Sequence, residues 1–144
     1  MKLTENFSLE EMTVSEIGVR KGLDNTPNAT EIANLMRTAL LLEQVRELLK
    51  KPIIINSAFR SKAVNDAVGS KDTSQHRIGC AADIRVPGMT PKQVVQACID
   101  AHIPFDQIIQ EFDSWTHISV PDMPTRPPRK QALIIDRNGT RPYK

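Results

Sequence analysis

Two cysteines, one tryptophan, one tyrosine and four phenylalanines are a thin supply for 144 residues. Cys80 and Cys98 form no CxxC pair of the metal-binding kind, and the reading is that both are reduced and mostly buried. No apolar run approaches the roughly 20 residues that cross a bilayer, so no membrane span is expected. The N-terminus also lacks the charged-then-apolar pattern of a signal peptide. A chain made in the cytoplasm is expected, one that other components must release before it acts elsewhere. Surplus charge is missing too, and a net charge of +2 makes no case for a nucleic-acid partner. The exception is the tail, where Arg126, Arg129, Lys130, Arg137, Arg141 and Lys144 face only Asp122 and Asp136. A solvated basic end is expected there, with contact to an anionic polymer as the alternative.

What remains is an ordinary globular composition, 40% hydrophobic and 25% charged. Its length suits one domain over residues 1–144, with a core at 7–120 and a proline-rich basic tail at 121–144 that holds a final strand. Such a domain can bury a core without metal or disulfide staples. A monomer is expected.

Local signals place the elements. Ser8 and Glu11 form a capping box with Phe7 and Met12 as its staple, predicting a helix from Leu9 to near Gly18. Thr26-Pro27 predicts the start of a second helix. Ile32, Leu35, Met36, Ala39, Leu42, Val45, Leu48 and Leu49 then keep a helical period towards Lys51-Pro52. The run Ile53-Ile54-Ile55 predicts a buried strand that delivers Arg60 just past its end. A short helix closed by Gly69, a polar loop, a strand over 81–86 and a helix from Thr90-Pro91 follow. Residues 107–112 and 115–120 read as a hairpin, and 131–136 as a last strand before an Asn138-Gly139 turn. The stretch 121–128 is the one linker-like segment.

The chemistry concentrates in Ser74-Gln75-His76-Arg77-Ile78-Gly79-Cys80-Ala81-Ala82-Asp83 and, further on, Glu111 and Trp115-Thr116-His117. Imidazole nitrogen and carboxylate oxygen are zinc donors, and catalytic zinc sites keep three protein ligands with a fourth position open. His76, Asp83 and His117 supply such a set. Gly79 and the two alanines between His76 and Asp83 are small enough to let the loop approach a strand and present both donors to one ion. Along the strand, His117 shares a face with Trp115 and Ser119 while Thr116, Ile118 and Val120 share the core face. Trp115 is then either a wall of the cleft or a cover over the sheet edge. A two-residue turn at Asp113-Ser114 would oppose Glu111 to Thr116, on the wrong face. An odd-length loop or a bulge is therefore predicted, and it would turn Glu111 towards the metal as a general base. Asp113 is the rival base, though turn chemistry already explains it. Arg60 either clamps a substrate carboxylate or pairs with a neighbouring acid. His102, near a predicted helix end, is read as a favourable cation there.

The fixed positions Ser-x-His-x-x-Gly-x-Ala-x-Asp and the Trp-x-His segment resemble the zinc D-Ala-D-Ala carboxypeptidases and the L-alanyl-D-glutamate endopeptidases of bacteriophage lysins. Both belong to the lysostaphin, D-Ala-D-Ala metallopeptidase and hedgehog superfamily, and the resemblance spans about residues 7–120. It implies an α+β fold in which helices flank a small antiparallel sheet that carries the zinc. It implies His76, Asp83 and His117 as ligands, Arg60 as a substrate anchor or oxyanion-polarising group, and Ser74 as a substrate contact. Several members carry their acidic residue three positions before the last histidine, where this chain has Ser114; others carry a glutamate six before it, as Glu111 does. The activity implied is hydrolysis of a stem-peptide bond in peptidoglycan, by a carboxypeptidase or a phage-type endolysin acting at the cell wall after release or as a virion component. The alternative is a non-catalytic zinc-binding module.

Overall fold

A computed structural model describes residues 1–143. The elements in chain order are α1 (Leu9–Thr13), α2 (Glu16–Lys21), α3 (Ala29–Leu49), β1 (Ile54–Ser57), α4 (Lys62–Ala67), a 3₁₀ turn (Gln75–Ile78), β2 (Ala81–Arg85), α5 (Pro91–Asp100), β3 (Gln107–Glu111), β4 (Trp115–Ser119), β5 (Gln131–Asp136) and β6 (Gly139–Pro142). The strands form one sheet in the order β1-β2-β4-β3-β5-β6. It is the expected α+β architecture, antiparallel around the histidines. The departure is β5, which runs parallel to β3 and then pairs with β6, a strand the sequence reading did not include.

Capping chemistry explains most of the helix starts. The Ser8–Glu11 and Thr90–Gln93 boxes form as expected, with Pro91 in the first turn of α5. Two boundaries differ. The first helix breaks after Thr13, because Val14 is extended and Ser15 caps a new helix through a bond from Gly18 N. Helix α3 begins two residues later than predicted: Asn28 caps it and exchanges bonds with Glu31, while Thr26 turns back to Asp24.

The core lies on one face of the sheet, where Ile84, Ile108 and Ile118 meet Leu35, Leu42 and Val45 of α3 and Val94 and Val95 of α5. Met36 and Leu48 of α3, predicted for the core, are exposed at 45% and 37% because they sit off the buried ridge. The strand predicted to be buried at Ile53-Ile55 is an edge strand, with Ile54 at 40% exposure. Both cysteines are free and buried. Burial pushes the Cys80 thiol up to about 11, against the opposing charge of Arg37, and the Cys98 thiol up to about 12.

The segment read as a linker and a basic end is anchored. Asp106, fully buried, accepts from both guanidiniums of Arg126 and Arg129 at 2.7–3.1 Å and from the Arg129 backbone N–H at 2.9 Å. Arg141 pairs with Asp136 at 2.9 Å. Arg126 and Arg129 are thus paired with a buried acid and Arg141 with an acid of the tail itself, while all three guanidiniums keep part of their surface in solvent; Lys144 lies outside the described residues.

Candidate metal centre

His76 sits in the 3₁₀ turn, and α3 holds that turn in place. Asn34 Nδ2 donates to the Ile78 carbonyl at 2.9 Å, Thr38 Oγ1 to the Gly79 carbonyl at 2.8 Å, and Arg77 pairs with Glu31 at 3.0 Å. Gly79 closes the turn at φ +85°, and a Cβ there would lie 2.8 Å from the Glu31 carbonyl oxygen. The close approach that this glycine permits is therefore to a helix backbone, not to a strand as the sequence suggested. Ser74 Oγ accepts from His76 N at 3.3 Å and so caps the turn. Gln75 ties it to the adjoining ends of the strands, donating to Asp106 at 3.1 Å, to the Val120 carbonyl at 3.0 Å and to Asp122 at 2.7 Å.

Strand register brings the other groups together. Asp83 of β2 stands directly opposite His117 of β4. A register shift between Ile55 and Ser57 in β1 sets Ser57 beside Asp83, a bulge of the kind that re-aims side chains near sites. The β3–β4 connection is the three-residue loop 112–114, with Glu111 opposite Trp115 and Ile109 opposite His117. The loop is odd in length, as the facing argument required, and Phe112 and Asp113 meet it with positive φ of 53° and 52°. Glu111, Trp115, His117 and Asp83 therefore share one face of the sheet.

All three candidate ligands are buried, and one donor atom from each of His76, Asp83 and His117 lies within 4.8 Å of the others. His76 Nε2 is 3.3 Å and His117 Nδ1 is 3.1 Å from the same oxygen, Asp83 Oδ1. The His76 Nδ1–H donates to the Ala58 carbonyl at 2.6 Å, which turns Nε2 into the site with a free lone pair. Without an ion both nitrogens of that buried ring would face acceptor oxygens, and a neutral imidazole has only one N–H. A cation between Nε2, Nδ1 of His117 and the carboxylate removes the conflict, so the donor set fits a metal. Burial alone would raise the Asp83 carboxyl, but the adjacent His76 and His117 rings outweigh it and hold the group well below the usual carboxylate range.

Around this cluster, Arg60 Nη2 approaches Asp83 Oδ2 at 3.5 Å, and the Arg60 backbone N–H donates to the His76 carbonyl at 3.0 Å. The acid that Arg60 neighbours is thus a candidate ligand itself. Asn25, expected only as part of a helix start, fixes this segment by donating to Phe59 O at 3.1 Å and accepting from Ser61 N at 2.7 Å. Asn34 and Thr38 were missed; two polar residues one turn apart on an apolar helix side were their signal. Glu111 is half-buried. Burial pushes its carboxyl up and the Asp83 charge adds to this, while His117, Arg60 and the Trp115 indole oppose. The indole N–H lies close by yet completes no hydrogen bond, and the Trp115 ring packs against Phe112 at 5.9 Å. Asp113 is bonded by Gln110 Nε2 at 2.8 Å in the turn. A pocket of about 280 Å³ opens beyond Trp115 between the 86–91 loop and the β3–β4 turn, but no candidate ligand lines it, so it neighbours the site.

This geometry meets an independent finding: the profile of the family described as peptidase M15 matches residues 5–119, most of the chain. The chain belongs to the peptidase M15 family. M15 peptidases are zinc-dependent, and the His76-Asp83-His117 group is the place among the described residues that could hold the ion. The matched segment contains Arg60, Ser74, His76, Asp83, Glu111, Trp115 and His117 and ends at Ser119, so β5 and β6 lie outside it. No curated protein matches the chain. No helix among the described residues is long and apolar enough to cross a membrane.

Proposed function

We propose that this M15 peptidase hydrolyses a peptide bond in the peptidoglycan stem, with Glu111 as general base and acid. The observation that carries the reading is a half-buried glutamate facing the same side of the sheet as His117 and Asp83. His76, Asp83 and His117 would hold the zinc, which would supply Lewis acidity for the scissile carbonyl and for the attacking water. Glu111 accepts the proton of the attacking water at its carboxylate and delivers it to the leaving amine. A carboxyl raised above its ordinary value is the better proton acceptor for this task. Arg60, beside Asp83 Oδ2, anchors the acyl side or its developing oxyanion. Trp115 walls the cleft, and Ser74 shapes the metal loop through its cap on His76. Asp113, engaged with Gln110, is the weaker candidate for the base.

The stem peptide as substrate rests on the resemblance of the ligand motif to D-Ala-D-Ala carboxypeptidases and L-alanyl-D-glutamate endopeptidases, and action at the cell wall after release or as a virion component belongs to the same proposal. Purified peptidoglycan incubated with the zinc-loaded chain, followed by mass spectrometry of the fragments, tests it. Loss of a terminal D-alanine identifies a carboxypeptidase, and release of peptides from L-alanine an endopeptidase. Intact muropeptides after incubation with a folded, zinc-containing protein would leave a zinc-binding module as the better description.

A further inference from the structure

Strand β5 is apolar on both faces, through Leu133, Ile134 and Ile135. On one side Ala132 packs against the hydrophobic core, and Ile134 lies beside Lys92 and Gln96 of α5. Leu133 and Ile135 alternate to the other side, which is the face of the metal centre. The parallel register sets Leu133 beside Ile109 and Ile135 beside Glu111. Ile109 is itself buried, at 5% exposure, yet stands outside the core cluster, as do Leu133 and Ile135. Leu133 and Ile135 remain partly exposed on that face. Strands apolar on both faces are those whose two faces are both covered. Here one face lies towards α5 through Ile134, and the other continues from Glu111 and the Trp115–Phe112 pair as a partly exposed apolar ledge.

We infer that Leu133 and Ile135, seated against the buried Ile109, form a subsite for an uncharged aliphatic residue on the amine side of the scissile bond. The inference rests on the peptidase reading, because that reading fixes the direction. Across the sheet the order is Asp83, with Arg60 beside it, then His117, then Glu111, then Ile135. Since Glu111 delivers its proton to the leaving amine, the residue bearing that amine lies on the side of Glu111 where the ledge begins. An aliphatic side chain there completes the burial of the ledge, whereas an acidic one would set a second carboxylate against Glu111. Leu133 and Ile135 fall outside the segment matched to the family, so this ledge is largely a contribution of the C-terminal strands.

The test uses stem-type peptides with D-alanine, D-leucine or D-glutamate on the amine side, each on acyl sides ending in L-alanine and in D-alanine. The zinc-loaded chain is expected to cleave the aliphatic peptides with kcat/KM at least about tenfold above the glutamate ones. Ile135→Thr, which keeps the β-branched shape, should erase most of that preference through KM, and Ile135→Val should retain it. A second readout needs no turnover: on the chelator-treated chain, emission of the single tryptophan, Trp115, should shift with the aliphatic peptides and require higher concentrations in Ile135→Thr. Equal cleavage of aliphatic and acidic peptides overturns the subsite, as does an unchanged preference in a folded Ile135→Thr. Should Ile135→Thr fail to fold, Leu133→Thr is read by the same criteria. A folded, zinc-containing wild type that cleaves none of these peptides sinks the peptidase reading, and the subsite with it.

Discussion

Two buried aspartates replace water in different ways, and the difference separates site from scaffold. Asp83 is surrounded by two imidazoles and one guanidinium, partners that suit a metal ligand. Asp106 is saturated by Arg126, Arg129 and Gln75 and has no histidine beside it, so it is a structural clamp. Burial would raise its carboxyl, but the two arginines and Gln75 hold it well below the usual carboxylate range. Asp106→Asn should therefore lower stability on the order of 2 kcal/mol at neutral pH, as expected for hydrogen bonds to a charged group. Because the folded-state value lies below the unfolded one, this contribution is present above about pH 4 and is lost as pH falls through the folded value. Denaturant melts of both proteins across that range should converge towards acid. The ligands were legible in the sequence because donor types recur there at a metal spacing. Asp106 was not: its arginine partners lie 20 and 23 residues away, and an aspartate ahead of a strand is unremarkable.

Among the elements, those defined by local chemistry were readable and those defined by pairing were not. Capping boxes at Ser8 and Thr90 involve residues three apart, and both formed. At α3 two capping residues competed, and Asn28 prevailed because Glu31 returns a bond to its backbone at 2.8 Å. Asn28→Ala should cost about 1 kcal/mol, and Thr26→Ala distinctly less. Thermal melts of the two variants compare them, and the reverse order would contradict the assigned cap. The β3–β4 loop was legible through parity alone, since one face had to carry both Glu111 and His117. The central place of β4, between β2 and β3, was invisible, because it depends on strands that meet only in the folded sheet. The same holds for β5, whose parallel pairing with β3 skips past β4 in the chain.

At the scale of the molecule, metal and fold are separable. The core of α3, α5 and the sheet lies on the face opposite the candidate ligands and does not include them. Chelation should leave the chain folded, while zinc at one hundred times its Kd should add about 2.7 kcal/mol of stability. For a domain of this size that is a rise in Tm of roughly 5–10 °C, readable by calorimetry; unfolding on chelation would make the metal structural instead. The central claim is that Glu111 performs proton transfer beside a zinc it does not hold. Its direct measurement is paired zinc content and muropeptide cleavage for wild type and Glu111→Gln. The account predicts equal zinc in both and a loss of about 10²–10⁴-fold in cleavage rate in the variant. A Glu111→Gln protein that retains zinc and cleaves at the wild-type rate would contradict it.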